Sequence, residues 1–416
     1  MTQTSQHIDL TYDVSKIRSQ FPVLHQQVNG KDLIYFDNAA TTQKPNVVID
    51  ALSRYYRQYN ANIHRGIHAL AEKATAAYEA TRSEIQDFIN APESEEIIFT
   101  TGTTGGINLV SNAFGRKFLE AGDEVIISEL EHHSNIVPWQ MICQEKGARL
   151  KVISIDEQGN LIVDAFKDII NNKTKVVAVN HISNALGTIN PVKEIVAIAH
   201  AYGAVVLLDG AQASAHVDID VQELDCDFYA FSAHKLFGPT GVGVLYGKRK
   251  HLEAMNPYQG GGEMISEVSF EKTTYNDIPY KFEAGTPNIA DVIAFKEAIT
   301  FVNSLGNKSN LLSHEQQLLA TATEQLRKIP GLKIIGEAKE KIGVISFIVD
   351  GMHHFDLGMM LDARGIAVRT GHHCTQPLMK RFGIEGTVRA SFSIYNTLEE
   401  VSIFVENLKL IVNKWR

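Results

Sequence analysis

Val205-Val206-Leu207-Leu208-Asp209-Gly210 and, further along, Phe228-Tyr229-Ala230-Phe231-Ser232-Ala233-His234-Lys235 are two short apolar runs that each lead to an ionisable side chain. Runs of this length, bounded by Gly and polar residues, predict strands buried on both faces. The same texture recurs at Glu96–Phe99, Glu124–Ser128, Leu150–Ile155, Val176–Asn180 and Gly243–Tyr246. Between these runs, apolar residues fall at three-and-four spacing over Val47–Tyr59, Ala69–Ile89, Gly106–Leu119, Trp139–Lys146, Val163–Ile170 and Pro191–Tyr202, which predicts helices. Strands alternating with helices imply an α/β fold with a mostly parallel sheet covered on both faces. Ligands of such sheets bind beyond the carboxyl ends of the strands, so Asp209 and Lys235 stand where chemistry is expected.

After about Gly285 the texture changes. Two helical stretches, Ile289–Leu305 and His314–Lys328, precede short strands at Leu332–Ile335 and Val344–Val349 and a helix at Phe355–Arg364. Strand-like Ala367–Arg369 and Val388–Ser393 lead to a last helix from Leu398. This predicts a smaller α+β domain. The expected division is residues 1–25 as an N-terminal segment packing with the small domain, 26–290 as the large domain, and 291–416 as the small one.

The 416-residue, 46.1 kDa chain is ordinary in composition, with 44% hydrophobic and 21% charged residues, which argues against disorder and coiled coil. A formal charge of −9 leaves no overall electrostatic footprint for nucleic acid or anionic membrane. Cys143, Cys226 and Cys374 are few and far apart, so neither a disulfide framework nor a cysteine-rich zinc site is expected, and a reducing compartment is. Met1 to Leu10 is polar, unlike a secretory signal, and no apolar run approaches the roughly 18 residues of a membrane helix. The expectation is a cytoplasmic enzyme.

One Asp at a strand end is most simply a cap or an ion-pair partner, and one Lys in a loop most simply reaches solvent. At the ends of neighbouring strands the two suit pyridoxal phosphate. Lysine forms a Schiff base with the aldehyde, and the acid keeps the ring nitrogen protonated. Ile97–Phe99 runs into Thr100-Thr101-Gly102-Thr103-Thr104-Gly105-Gly106 and then a helix, a turn that presents N–H groups and hydroxyls to a phosphate. It lacks the Walker lysine, which disfavours a nucleoside triphosphate. His132, after Glu124–Ser128, is placed to stack on a ring. His132-His133 and His353-His354 lack metal-ligand spacing, so no metal is expected and the second pair is read as surface. In Arg369-Thr370-Gly371-His372-His373-Cys374-Thr375-Gln376-Pro377, a cysteine sits in a polar loop beside cationic groups, which favours its reactive thiolate. Arg389, in Thr387-Val388-Arg389-Ala390-Ser391, is suited to clamp a carboxylate, though a surface ion pair is the plainer reading.

Asp209-x-x-Gln212, Ser232-x-His234-Lys235, the Arg369–Cys374 loop and Arg389 together resemble the cysteine desulfurases, fold type I pyridoxal phosphate enzymes of aminotransferase class V. The resemblance runs from Tyr35-Phe36-Asp37-Asn38-Ala39-Ala40 to Tyr395-Asn396-Thr397, and the compact cysteine loop is similar to that of the group II, SufS type. It implies that Lys235 holds the cofactor aldehyde, Asp209 the ring nitrogen and Gln212 the ring oxygen. His132 would stack on the ring and assist proton transfer. Thr103, Thr104, Ser232 and His234 would hold the phosphate, joined across a homodimer by Thr286 of the second copy. Asn184 and Arg389 would take the substrate carboxylate, with His64 and Arg369 bordering the substrate. Cys374 would accept the sulfur of L-cysteine as a persulfide, releasing alanine, and pass it to a SufE- or SufU-type acceptor for iron–sulfur cluster assembly. Gly105 departs from relatives, which commonly carry an acid there that contacts the dimer interface. A selenocysteine lyase or another class V enzyme stays open as an alternative. A non-catalytic scaffold that binds a sulfur carrier is a third reading.

Overall fold

The structure is a computed structural model that describes residues 12–306 and 308–415. Met1–Leu10, read above for a signal, and the part of the 1–25 segment before residue 12 lie outside the described residues.

Seven strands form the main sheet: β1 (Ile97–Thr100), β2 (Glu124–Ser128), β3 (Arg149–Ile153), β4 (Thr174–Asn180), β5 (Val205–Asp209), β6 (Phe228–Ser232) and β7 (Gly243–Gly247). Their order is β1-β7-β6-β5-β4-β2-β3. All pairs are parallel except those made by β7, which runs antiparallel to both β1 and β6. The apolar runs are continuous because both faces are covered. Ile126, Val177, Val179, Val206, Leu208, Tyr229 and Phe231 belong to one buried cluster. Their neighbours Val125, Ile127, Val176, Ala178, Leu207, Phe228 and Ala230 belong to another, as the period of two requires. Helices α1 (Asn46–Gln58), α2 (Ala69–Phe88) and α5 (Ile289–Ser304) pack together with the first cluster, while α3 (Thr103–Phe118) and α4 (Val137–Lys146) cover the second.

A four-stranded antiparallel sheet, β8 (Leu332–Ile335), β9 (Val344–Val349), β10 (Arg369–Gly371) and β11 (Thr387–Ser391), has the order β8-β9-β11-β10. With α6 (Lys308–Leu326) and α7 (Leu398–Trp415) it forms its own buried cluster, to which Ile34 and Phe36 also belong. A parallel pairing of Ile34–Tyr35 with Ile366–Ala367 joins the early chain to this sheet. Ile17, Phe21 and Leu24 pack into the cluster under the large sheet, while Arg18 pairs with Glu400 at 2.9 Å.

Three elements escape the periodicity. The cysteine segment, expected to be loop after strand-like Ala367–Arg369, carries β10 on to Gly371 and forms a short helix, Gln376–Arg381, at its end. Gly and Pro mark the turn between but not its flanks. A hairpin, Ile265–Val268 with Thr273–Tyr275, carries exposed Val268, Phe270 and Tyr275 on residues too few to show a period. α3 starts at Thr103, three residues before the apolar pattern begins, because Gly102 turns the chain with φ +129°.

Candidate active site

The carboxyl ends of β1, β4, β5 and β6 meet the start of α3 and the β10–β11 region around a cavity of about 380 Å³. Thr103, Thr104, His132, Asn184, Asp209, Gln212, Ser232, His234, Lys235, Arg369, Cys374 and Arg389 all line it. Thr286 and His64, the other residues expected at the site, do not. Thr286 is exposed in the segment before α5. His64 is turned into an ion-pair network, with Nε2 2.9 Å from Glu79 Oε1 and Nδ1 3.9 Å from Glu263 Oε2.

Register explains why the two deciding residues converge. Asn180 lies beside Asp209, and Asp209 beside Ala230, so Asp209 closes the central strand two residues from the β6 end that releases Lys235. Asp209 Oδ1 accepts the Ala211 N–H at 2.9 Å, and Oδ2 has no hydrogen bond among the described residues. Burial pushes the Asp209 carboxyl up, while the Ala211 N–H and Lys235 pull it down. Burial brings the Lys235 ammonium down to about 8, against the upward pull of Asp209. An amine so poised is a nucleophile and a proton carrier near neutral pH.

At the phosphate end, Ser232 Oγ accepts the Thr103 N–H at 2.8 Å and lies 2.7 Å from Thr103 Oγ1. The backbone of Gly102 comes so close to β7 that a Cβ on Gly243 would fall 2.4 Å from Gly102 Cα. The first turn of α3 therefore opens into the cavity with its dipole and free N–H groups. A chain of hydroxyls runs from here to His132. Thr104 Oγ1 is 2.8 Å from Ser134 Oγ, which is 2.8 Å from His132 Nδ1. The Ser134 N–H also donates to His132 Nδ1 at 3.1 Å, so Nδ1 is the acceptor and the neutral ring carries its proton on Nε2. Burial, with Lys235 nearby, brings His132 down to about 3 and keeps it neutral.

At the opposite end, Arg389 is fully buried. Its NH1 donates to Asn184 O at 2.8 Å, and NH2 lies 3.4 Å from Asp37 Oδ1. Its Nε has no hydrogen-bond partner among the described residues. Burial lowers the guanidinium to about 10, short of discharge, and Asp37 opposes that shift. Asn184 Nδ2 holds His373 O at 2.8 Å, and His373 Nε2 is 2.7 Å from Thr387 Oγ1. His373 and Cys374 both adopt left-handed backbone, φ +50° and +57°, which costs about 1–2 kcal/mol per residue. These bonds hold that turn, and Cys374 is exposed. Cys143 and Cys226 are buried in the two faces of the large domain, and burial raises the Cys143 thiol to about 11.

The donor set fits pyridoxal phosphate. The buried Asp209 carboxylate turns an oxygen without a hydrogen bond among the described residues to a cavity that also holds a lysine with lowered pKa, and a glycine-tight helix start with hydroxyls stands at the far end. Gln212 reaches the same cavity with Nε2 on Ala39 O at 2.7 Å.

Several residues went unmarked in the sequence. Asp37 stands out in the sequence only within the motif Tyr35-Phe36-Asp37-Asn38-Ala39-Ala40. His133 donates its N–H to Cys374 O at 2.7 Å and accepts the Gln376 N–H on Nε2 at 3.1 Å. Buried Glu131, pushed up to about 7 by burial, gathers Ser128, Asn135 and Asn180 behind His132. Lys44 donates to the carbonyl of His234 at 2.8 Å. Each acts across a contact distant in sequence. His353 is exposed as expected, whereas His354 is half-buried beneath Gly386.

Residues 34–404 match the model of the aminotransferase class-V family. The chain is 52% identical over 400 residues to a protein named probable cysteine desulfurase in Mycolicibacterium paratuberculosis, covering 96% of this chain but 58% of that protein. It thus spans less than two thirds of the length of this relative. A Klebsiella pneumoniae protein named cysteine desulfurase is 49% identical and covered to 99%, with 97% of this chain aligned. The crystal structure of the cysteine desulfurase CsdA (S-sulfonic acid) from Escherichia coli superposes with a TM-score of 0.90 at 39% identity, over 97% of this chain and 99% of that one.

Proposed function

The chain belongs to the aminotransferase class-V family, and from that premise we propose that it is a pyridoxal phosphate-dependent cysteine desulfurase. It converts L-cysteine and the thiol of Cys374 into L-alanine and a Cys374 persulfide. The observation that carries this reading is an exposed cysteine, held on a strained turn, lining the same cavity as Lys235 and Asp209. Transfer of an amino group alone has no use for such a thiol.

Bound pyridoxal phosphate would supply the electron sink that stabilises charge on the amino acid Cα while the C–S bond breaks. Asp209 would hold the ring nitrogen, Gln212 the ring oxygen, and Thr103, Thr104, Ser232 and His234 the phosphate. Arg389 and Asn184, which both line the cavity, would bind the substrate carboxylate and fix which Cα bond is presented. Lys235 Nζ would take the Cα proton, a role its lowered pKa suits. The neutral face of His132 would pack against the ring, with its Nε2 proton available on the substrate side. Cys374 Sγ would attack the substrate sulfur. The electron pair of the C–S bond would stay on Cβ, which takes the proton given up by the Cys374 thiol, and Lys235 would return its proton to Cα, giving alanine with the outer sulfur left on Cys374.

The persulfide is read as cargo for a SufE- or SufU-like acceptor serving iron–sulfur cluster assembly, which fits an exposed Cys374. A homodimer is supported by exposed Thr286, absent from its own chain's cavity, and by the apolar hairpin around Phe270. Three free cysteines fit a cytoplasmic setting, and no helix among the described residues is long and apolar enough to cross a membrane.

The test is alanine and sulfide release from L-cysteine with a reductant, wild type against Cys374→Ala, both loaded with cofactor. The reading expects equimolar products from wild type, none from the variant, and one added sulfur on Cys374 by mass spectrometry. A Cys374→Ala variant as active as wild type would overturn it.

A further inference from the structure

Thr104, Ser134 and His132 all line the cavity, and one backbone group fixes the direction of the protons between them. The Ser134 N–H donates to His132 Nδ1 at 3.1 Å, so Nδ1 presents its lone pair. Ser134 Oγ lies 2.8 Å from that same nitrogen, and a hydroxyl this close to a lone pair must turn its proton toward it. The Ser134 oxygen is thereby left as an acceptor, and Thr104 Oγ1, 2.8 Å away, supplies the proton. The chain runs one way, from Thr104 O–H to Ser134 O–H to His132 Nδ1. The opposite tautomer would set Nδ1–H against the Ser134 N–H and reverse both hydroxyls. Burial and the nearby Lys235 ammonium keep the ring neutral, so which nitrogen carries the proton is the freedom that remains to it.

We infer that Ser134 is a positioning residue: its hydroxyl holds His132 with the proton on Nε2 and carries the occupancy of the phosphate end to the imidazole. The inference rests on the reading that the cofactor phosphate lies at the Thr103–Thr104 end of the cavity. Thr104 stands in the first turn of α3, its carbonyl accepting Asn108 Nδ2 at 2.8 Å, and it is exposed to the cavity. A threonine hydroxyl has one proton to give. An anion that accepts it takes it from Ser134. Successive hydrogen bonds polarise one another, so the loss of Thr104 as donor weakens the bond from the Ser134 hydroxyl to Nδ1. Filling one end of the cavity is thus felt at the ring on the other side of Ser134.

The test is nitrogen NMR of the His132 ring in the full-length apoprotein, assigned by difference from His132→Gln, with and without saturating inorganic phosphate. Wild type should show Nδ1 as a bare acceptor and Nε2 protonated, and the Nδ1 signal should move as phosphate binds. Ser134→Ala keeps the backbone N–H but loses the hydroxyl. It should raise the minor Nδ1–H tautomer about two- to fivefold, the scale of one neutral hydrogen bond at a partly exposed site, and leave Nδ1 unresponsive to phosphate. Ser134→Thr returns the hydroxyl and should restore both. Thr104→Val should keep the tautomer and abolish the response. A wild-type tautomer ratio in Ser134→Ala, or a phosphate response that survives in Ser134→Ala or Thr104→Val, would overturn the inference. If wild type binds no phosphate, the reading of the phosphate end fails, and the tautomer ratio in Ser134→Ala still decides whether Ser134 positions His132.

Discussion

Gly243 carries no functional group, yet its replacement by alanine should disable the phosphate end of the cavity. In register it sits between Thr100 of β1 and Ser232 of β6, at the carboxyl edge of the sheet. A Cβ there would fall 2.4 Å from Gly102 Cα, 2.7 Å from Gly102 C and 2.7 Å from Phe231 O. All three are backbone atoms, so no rotamer relieves the overlap. Ordinary contact begins near 3.4 Å, so the Gly102 turn must retreat by about 1 Å. Overpacking of this kind costs about 1–3 kcal/mol. Because Gly102 leads into Thr103 and the first turn of α3, the strain falls on the phosphate cradle. If all of it is expressed there, cofactor affinity drops between about fivefold and 150-fold. The assay is absorbance titration of the apoprotein with pyridoxal phosphate, and with pyridoxal, whose weaker binding should change little. Val244→Ala, next in the strand and fully buried, is the control. It loses stability through a cavity but leaves the cradle in place. Wild-type phosphate affinity in Gly243→Ala, or an equal loss in Val244→Ala, would refute the reasoning.

Three further outcomes are expected. His133→Ala removes the acceptor for Gln376 N–H beside Cys374; a net hydrogen bond of about 1 kcal/mol shifts the loop population about fivefold, read as faster alkylation of Cys374 and slower persulfide formation. Lys44, whose ammonium burial brings down to about 7, binds fewer protons folded than unfolded between there and its ordinary value, so stability rises with pH over that window; Lys44→Met should flatten the slope in denaturant midpoints measured from pH 7 upward. Buried Asp227 accepts from His200 Nε2 and His251 Nε2 at 2.8 Å and from Val206 N–H at 2.9 Å, and its carboxyl is held well below the usual range. Asp227→Ala should lower stability by about 3 kcal/mol at neutral pH in chemical denaturation, with the difference from wild type shrinking below pH 4 as the acid protonates.

Much of the fold was legible because the physics involved is local. Val206, Leu207 and Leu208 are buried on both faces of the sheet, so these positions had to be apolar up to the terminal Asp209, and the boundaries Val205–Asp209 match the strand observed. Lys235 and Asp209 could be singled out because an ionisable group at the end of such a run is costly without a partner. Arg369–Cys374 stood out for its polarity, but β10 inside it depends on hydrogen bonds to Thr387–Arg389, which no local pattern records.

The sequence by itself determined the alternation of elements, the sheet edge where chemistry lies, and the residue types gathered there, since burial and period are properties of neighbouring positions. Only the tertiary structure decided how those residues are committed. Asp37 engages Arg369 across more than three hundred residues, His133 grips both sides of Cys374, and Gly243 makes room for Gly102. Charge pairing and steric exclusion act over a few ångströms, and only the folded chain brings these groups within that range.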